Sequence, residues 1–176
     1  MKKIGFIGMG NMAQAMAVGL LRAGKVKRED LYAYAPNQDK LRDNAVRIGF
    51  TPCASPEEAA AYAEIVIMAC KPYQIEAVYR QLGGALAGKL IVSVAFGWNF
   101  ARAKPLLPTD THYQYIVPNT PVSICSGVLL VEEQNNLTGE EEALLEELLG
   151  GLGLYMKLPF AQMGAANAMS GCGPAF

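Results

Sequence analysis

Residues 4–13 gather the features that hold a phosphate. The apolar run Ile4–Ile7 ends at Gly8, Gly10 follows two residues on, and Asn11, Met12 and Ala13 open a helix-forming stretch over 11–23 that Gly24 closes. Glycines at 8 and 10 let the chain turn tightly and let an anion approach main-chain N–H groups at the positive end of a helix. Alanine at 13 allows close helix-to-sheet packing. The ligand implied is the pyrophosphate of a dinucleotide. A plain strand-to-helix turn without a ligand is the competing reading, and the strand in front and amphipathic helix behind weigh against it.

Further polar groups stand where strands are expected to end. A site selective for NAD carries an acidic residue after its second strand, whereas this chain has Tyr34, Ala35, Pro36, Asn37, Gln38, Asp39 and Lys40 there. The neutral tip, with amide donors at Asn37 and Gln38 and Lys40 beyond, favours the 2′-phosphate of NADP(H) over NAD(H), although Asp39 can rotate in. Asn37 also fits a helix N-cap, and both roles can hold at once. At the end of the fourth strand, Cys70 and Lys71 can line a ribose and nicotinamide, or Lys71 can be a solvated charge. Residues 94–97 leave the fifth strand as either a nicotinamide platform or a simple loop. In VPNTP, at 117–121, two prolines fix the backbone around Asn119 and Thr120, as a ligand-presenting turn or merely a rigid one.

The chain has 176 residues, 52% of them hydrophobic, with a formal net charge of −1. That supports a substantial core and offers no basic surface for a nucleic-acid partner. The apolar runs are far shorter than the roughly 20 residues of a membrane helix, and no signal peptide is read. The four cysteines, at 53, 70, 125 and 172, lack CxxC spacing, and His112 is the one histidine. No metal site is expected, and the thiols read as reduced, in a cytoplasmic protein. His112 lies inside a predicted strand as a structural residue, and no catalytic side chain is singled out.

Strands are expected at 4–7, 31–34, 50–53, 65–70, 90–94, 112–117, 127–131 and 153–158. Helices are expected at 11–23, 39–48, 56–62 behind a Ser55/Glu58 capping box, 73–82, 139–149 behind a Thr138/Glu141 box, and 161–169. Uninterrupted apolar strands alternating with helices give an α/β class, a doubly wound Rossmann-type mainly parallel sheet over 1–158. Residues 159–176 read as the start of a helical domain, with Gly171 and Gly173 breaking the helix and Pro174 restarting one, as in a chain truncated at that threshold.

GFIGMGNMA at 5–13, CKP at 70–72, VPNTP and the closing SGCGPAF at 170–176 resemble the pyrroline-5-carboxylate reductase family in order and separation, across the whole chain. The NTP turn followed by SGxGPA[FY] is the specific part. The resemblance implies an N-terminal dinucleotide domain, a helical domain that forms an interlocked dimer and completes the active site, and NADPH-dependent reduction of the small molecule 1-pyrroline-5-carboxylate to L-proline. It implies that Gly8, Gly10, Asn11, Met12 and Ala13 hold the pyrophosphate, with Asn37 near the adenosine phosphate. Ala69, Cys70, Lys71 and Pro72 would contact the ribose and nicotinamide, bordered by Asn119, Thr120 and Pro121. Ser170, Gly171, Cys172 and Gly173 would receive the substrate carboxylate. Pro56, Phe96, Tyr115 and Cys172 depart from the family pattern, which commonly has Asn, Ala, Arg and Ser there. The intact protein is expected to be a homo-oligomer, and this chain alone to have little or no turnover. A nucleotide-binding module, or a related imine or β-hydroxyacid reductase with another substrate loop, are the alternatives.

Overall fold

The computed structural model of the chain describes residues 2–172. Three strands, β1 (Ile4–Ile7), β4 (Ile65–Met68) and β5 (Leu90–Ser93), are buried at every residue. Such strands must be covered on both faces, which puts them in the middle of a parallel sheet. With β2 (Leu31–Tyr34), β3 (Thr51–Pro52), β6 (His112–Pro118), β7 (Gly127–Glu132) and β8 (Gly153–Leu158), the order is β3-β2-β1-β4-β5-β6-β7-β8. Every neighbouring pair is parallel except β6 and β7.

Helices cover both faces. On one lie α1 (Asn11–Arg22), α2 (Gln38–Asn44) and α6 (Gly139–Gly150), contributing Met16, Leu20, Leu41, Leu145 and Leu149 to one core layer. On the other lie α3 (Pro56–Tyr62), α4 (Ile75–Leu82), the short α5 (Phe100–Ala103) and α7 (Phe160–Asn167), with Ala59, Ile75, Tyr79, Ala103 and Met163 in the second layer. The doubly wound α/β class expected from the sequence is therefore the fold observed. Helix α1 ends as expected at Gly24, which adopts φ +65°, the left-handed conformation that glycine adopts without strain. Its Gly19 meets the 3-10 turn Thr120–Ile124 so closely that a Cβ would stand 2.1 Å from the Val122 carbonyl oxygen.

Several boundaries differ from expectation. Strand β3 shrinks to two residues, since Pro52 has no N–H for a ladder and sits at the sheet edge. Strand β4 stops at Met68 instead of residue 70, although the Ala69 N–H still donates to the Ile7 carbonyl at 2.8 Å. Helix α2 runs on into a π-helical turn, Ala45–Gly49, and α7 into another, Ala168–Cys172. Gly171 therefore does not break the last helix; a helical glycine costs only about 1 kcal/mol, and the Ser170 hydroxyl still donates to the Ala166 carbonyl at 3.0 Å. Gly173 and Pro174 lie outside the described residues.

His112 is structural. Its Nδ1 lies 2.6 Å from Glu141 Oε2, tying the start of β6 to the first turn of α6. Burial opposes the charge on Glu141, but bonds from the Thr138 N–H, His112 and the Thr138 hydroxyl outweigh it and hold the carboxyl below its usual range. A carboxyl depressed in the folded state adds stability above the unfolded-chain pKa of about 4.3, and that stability is lost as pH falls through the folded value. Glu141→Gln is therefore expected to be less stable than the parent at pH 7, with the gap closing under acid in urea titrations. An equal gap at pH 7 and pH 3 would count against this role.

Candidate functional site

The C-terminal ends of β1, β2, β4, β5 and β6 share one edge of the sheet, and strand order reverses there between β1 and β4, the place where open α/β sheets bind ligands. The two glycines of the first turn answer to different demands. Gly8 has φ +100°, and a Cβ on it would lie 2.7 Å from the backbone of Ala69 and Cys70, so the fold itself requires glycine. Gly10 has φ −77° and ψ −175°, open to any residue, and a Cβ there would meet nothing within 4 Å. Among the described residues nothing needs glycine at 10, and the space in front of it is open.

Helix α1 starts at this point without a side-chain cap, whereas Asn37, Ser55, Asn99 and Thr138 cap α2, α3, α5 and α6. The first bond onto the turn is from the Gln14 N–H to the Gly10 carbonyl at 2.9 Å, leaving the N–H groups of Asn11, Met12 and Ala13 for another acceptor. Ala13 is buried and lets α1 sit close to the sheet. Arg47, which no sequence motif marked, donates to Gln14 Oε1 and Asn44 Oδ1, bringing a guanidinium beside the first turn of α1. Its only signal was a basic residue near the end of the second helix.

At the tip of β2, Asn37 accepts the Lys40 N–H at 2.9 Å and is exposed, so the capping role is real and its own NH2 stays available. Gln38 is not a free donor: its amide donates to the carbonyls of Ala35 at 2.9 Å and Cys53 at 3.3 Å. Asp39 pairs with Arg42, and Lys40 points to solvent. Beyond β4, Lys71 and Pro72 are exposed, and the Lys71 N–H donates to Gln74 Oε1 at 3.1 Å. Burial pushes the Cys70 thiol up to about 11, so at neutral pH it is a neutral thiol rather than a nucleophile.

The turn after β5 is pinned from below. Trp98 Nε1 donates to the Pro72 carbonyl at 2.8 Å, the Tyr113 hydroxyl donates to the Trp98 carbonyl, and the Gly97 N–H donates to the Tyr115 hydroxyl at 3.0 Å. Phe96 stays 60% exposed on that turn. Pro56, another departure from the family pattern, is the buried first residue of α3.

Asn119 joins the two parts of the predicted site. Its Oδ1 accepts the Val128 N–H at 2.8 Å, and its Nδ2 donates to the Ser170 carbonyl at 3.0 Å. Thr120 is exposed at the head of the 3-10 turn and Pro121, half-buried, follows it. Gly171 is exposed, Cys172 ends the π-helical turn, and Gly173 lies outside the described residues. Among the described residues no group of three His, Cys, Asp or Glu could hold a metal ion, and no helix is long and apolar enough to cross a membrane.

A family described as NADP oxidoreductase, coenzyme F420-dependent, matches residues 3–97. The pyrroline-5-carboxylate reductase of Treponema pallidum (strain Nichols) is 33% identical over 177 residues, covering 98% of this chain and 67% of that protein. The chain belongs to the pyrroline-5-carboxylate reductase family. Pyrroline-5-carboxylate reductase 3 of Danio rerio is 34% identical over 99% of this chain and 60% of its own length. The solved pyrroline carboxylate reductase of Plasmodium falciparum, with NADP bound, superposes with a TM-score of 0.88 at 26% identity, over 99% of this chain and 64% of that one. This member of the pyrroline-5-carboxylate reductase family thus spans between 60% and 67% of the two proteins compared by sequence.

Asn119→Asp keeps an oxygen for the Val128 N–H and removes the donor to Ser170. Hydrogen exchange is expected to quicken over 160–170 while β6 and β7 stay protected. Unchanged exchange in α7 would mean that Asn119 does not hold it.

Proposed function

We propose that this chain is the dinucleotide-binding part of an enzyme that reduces 1-pyrroline-5-carboxylate to L-proline, with NADPH preferred to NADH. The observation that carries the reading is Gly10, whose missing side chain leaves open space in front of the uncapped N–H groups of α1. Those N–H groups, from Asn11, Met12 and Ala13, bind the pyrophosphate, and Gly8 lets the turn form. The Asn37 amide and Lys40, with no carboxylate at the strand tip, receive the 2′-phosphate. Ala69, Cys70, Lys71 and Pro72 line the ribose and nicotinamide side, bordered by Asn119, Thr120 and Pro121.

When bound, the reduced nicotinamide supplies a hydride to the C=N carbon of the substrate. A protonated cyclic imine is already electrophilic, so the chain has to hold two rings in register and receive a carboxylate, with no side chain acting as acid or base. Ser170, Gly171, Cys172 and Gly173 receive that carboxylate. The Ser170 hydroxyl donates to Ala166, so it must turn to take part.

Residues 1–158 form the dinucleotide domain, and 159–176 begin a helical domain through which the intact protein becomes a homo-oligomer. In support, Phe160 and Met169 on the last helical segment are 46% and 77% exposed. A cytoplasmic setting agrees with the free thiols of Cys53, Cys70 and Cys125. The span of 60% to 67% of the relatives' length favours a second reading for the chain by itself, a module that holds NADPH with little turnover.

Proline-dependent reduction of NADP, assayed on this chain and on a version extended through the helical domain, is expected only from the longer protein. No turnover by the longer protein refutes the substrate assignment, and turnover by the shorter one removes the second reading. Titrations are expected to show tighter binding of NADPH than of NADH; equal affinities would remove the argument from the neutral strand tip.

Gly10→Ala is expected to keep its stability within about 0.5 kcal/mol of the parent, as surface substitutions do. It should weaken NADPH binding about tenfold, or ~1.4 kcal/mol. A variant that binds as the parent does would show that no ligand uses this space.

A further inference from the structure

Glu132, the last residue of β7, is fully buried, yet only one of its carboxylate oxygens has a partner. Oε2 accepts the Phe100 N–H at 2.7 Å, and Oε1 has no partner among the described residues. Burial pushes the carboxyl up, and the Phe100 bond only partly offsets this. A half-satisfied buried carboxylate is costly, and an apolar side chain of the same shape would serve stability better. Its presence calls for a role other than stability.

The residue it holds identifies that role. Phe100 closes the turn 96–100, which leaves the end of β5 next to Pro72 on the ligand-binding edge. Four bonds tie this turn to β6, β7 and the segment at Pro72: Glu132 on Phe100, Tyr113 on Trp98, Tyr115 on Gly97, and Trp98 itself on the Pro72 carbonyl. Arg102 adds a fifth tie, its guanidinium 4.1 Å from the Trp98 ring centre. Trp98 is buried in the core beneath the turn, Gly97, Asn99 and Phe100 are half-buried, and Phe96 alone of residues 96–100 is exposed. The one aromatic it presents outward is Phe96.

We infer that Glu132, with Tyr113 and Tyr115, is a positioning device for the nicotinamide half of the cofactor groove, acting through the 96–100 turn on the ring and leaving the adenosine half untouched. The inference rests on the dinucleotide reading above and deepens it. The adenosine half is built from β1, β2 and the start of α1, none of which bonds to Glu132. Loosening the turn therefore costs the ligand only what it gains beyond its adenosine part.

The test uses two ligands on this chain, NADPH and adenosine 2′,5′-bisphosphate, which carries only the adenosine end, with affinities measured by calorimetry. Glu132→Ala is expected to weaken NADPH roughly tenfold, the scale of one lost charge-assisted hydrogen bond, and to leave the bisphosphate within twofold. Glu132→Gln, which keeps an oxygen for Phe100, is expected to restore NADPH binding, which a requirement for the charge would not predict. Tyr115→Phe, which keeps the ring and removes the acceptor for Gly97, is expected to show the same ligand split and covers the case in which Glu132→Ala does not fold. Equal losses for both ligands, no loss for either, or parent-like NADPH binding by Tyr115→Phe would overturn the inference. A parent chain that binds neither ligand would instead overturn the dinucleotide reading, and this inference with it.

Discussion

The C-terminal edge of the sheet depends on how closely two lengths of backbone pass one another. Where β1 and β4 end, the pair Ile7 and Met68 is the last in register, and the next residues leave no room between them for even one carbon atom at Gly8. The Gly8 N–H is held on the other side by the Tyr34 carbonyl at 2.8 Å, and the Ala69 N–H by Ile7. The turn is thus anchored to three strands before α1 begins. A helix start fixed in this way presents its N–H groups in one direction, which a cradle for a charged ligand requires.

Rigid supports of this kind recur along the edge. Asn119 spends its whole amide on Val128 and Ser170, and the turn after β5 hangs on side chains of β6 and β7. The lower edge is built differently. There, concavities of about 460 and 320 Å³ are lined by Lys2, Glu64 and Leu144 among others, and the lysines are already engaged, Lys2 with Glu64 and Lys25 with Glu147. What separates the two edges is the uncommitted N–H groups at the start of α1 on the upper one.

The fold was legible in the sequence because its strongest signals are local. Runs of buried β-branched residues, the Ser55/Glu58 and Thr138/Glu141 caps and Gly24 each declare an element through its own neighbours. What escaped prediction depends on distant partners. Strand β3 is cut short by the edge it occupies, α5 is a single turn held by Glu132 from 32 residues away, and the last helical turn is fastened at Ser170 by Asn119, 51 residues away. The same division runs through the site. The glycine turn could be read as it stands, whereas the diversion of Gln38 to Cys53 and the arrival of Arg47 beside Gln14 needed the tertiary structure.

The single antiparallel pairing in the sheet has a directional consequence. Because β7 runs the other way and β8 follows β7, β8 ends with Leu158 paired to Glu132, level with Tyr115 and the end of β5, and Phe160 packs against Tyr115 as α7 sets out toward Asn119. The ten steps of helix from Phe160 to Ser170 rise about 15 Å. One reversed strand is thus a switch of heading, and it delivers Ser170 to Asn119 on the same side as the glycine turn formed more than a hundred residues earlier.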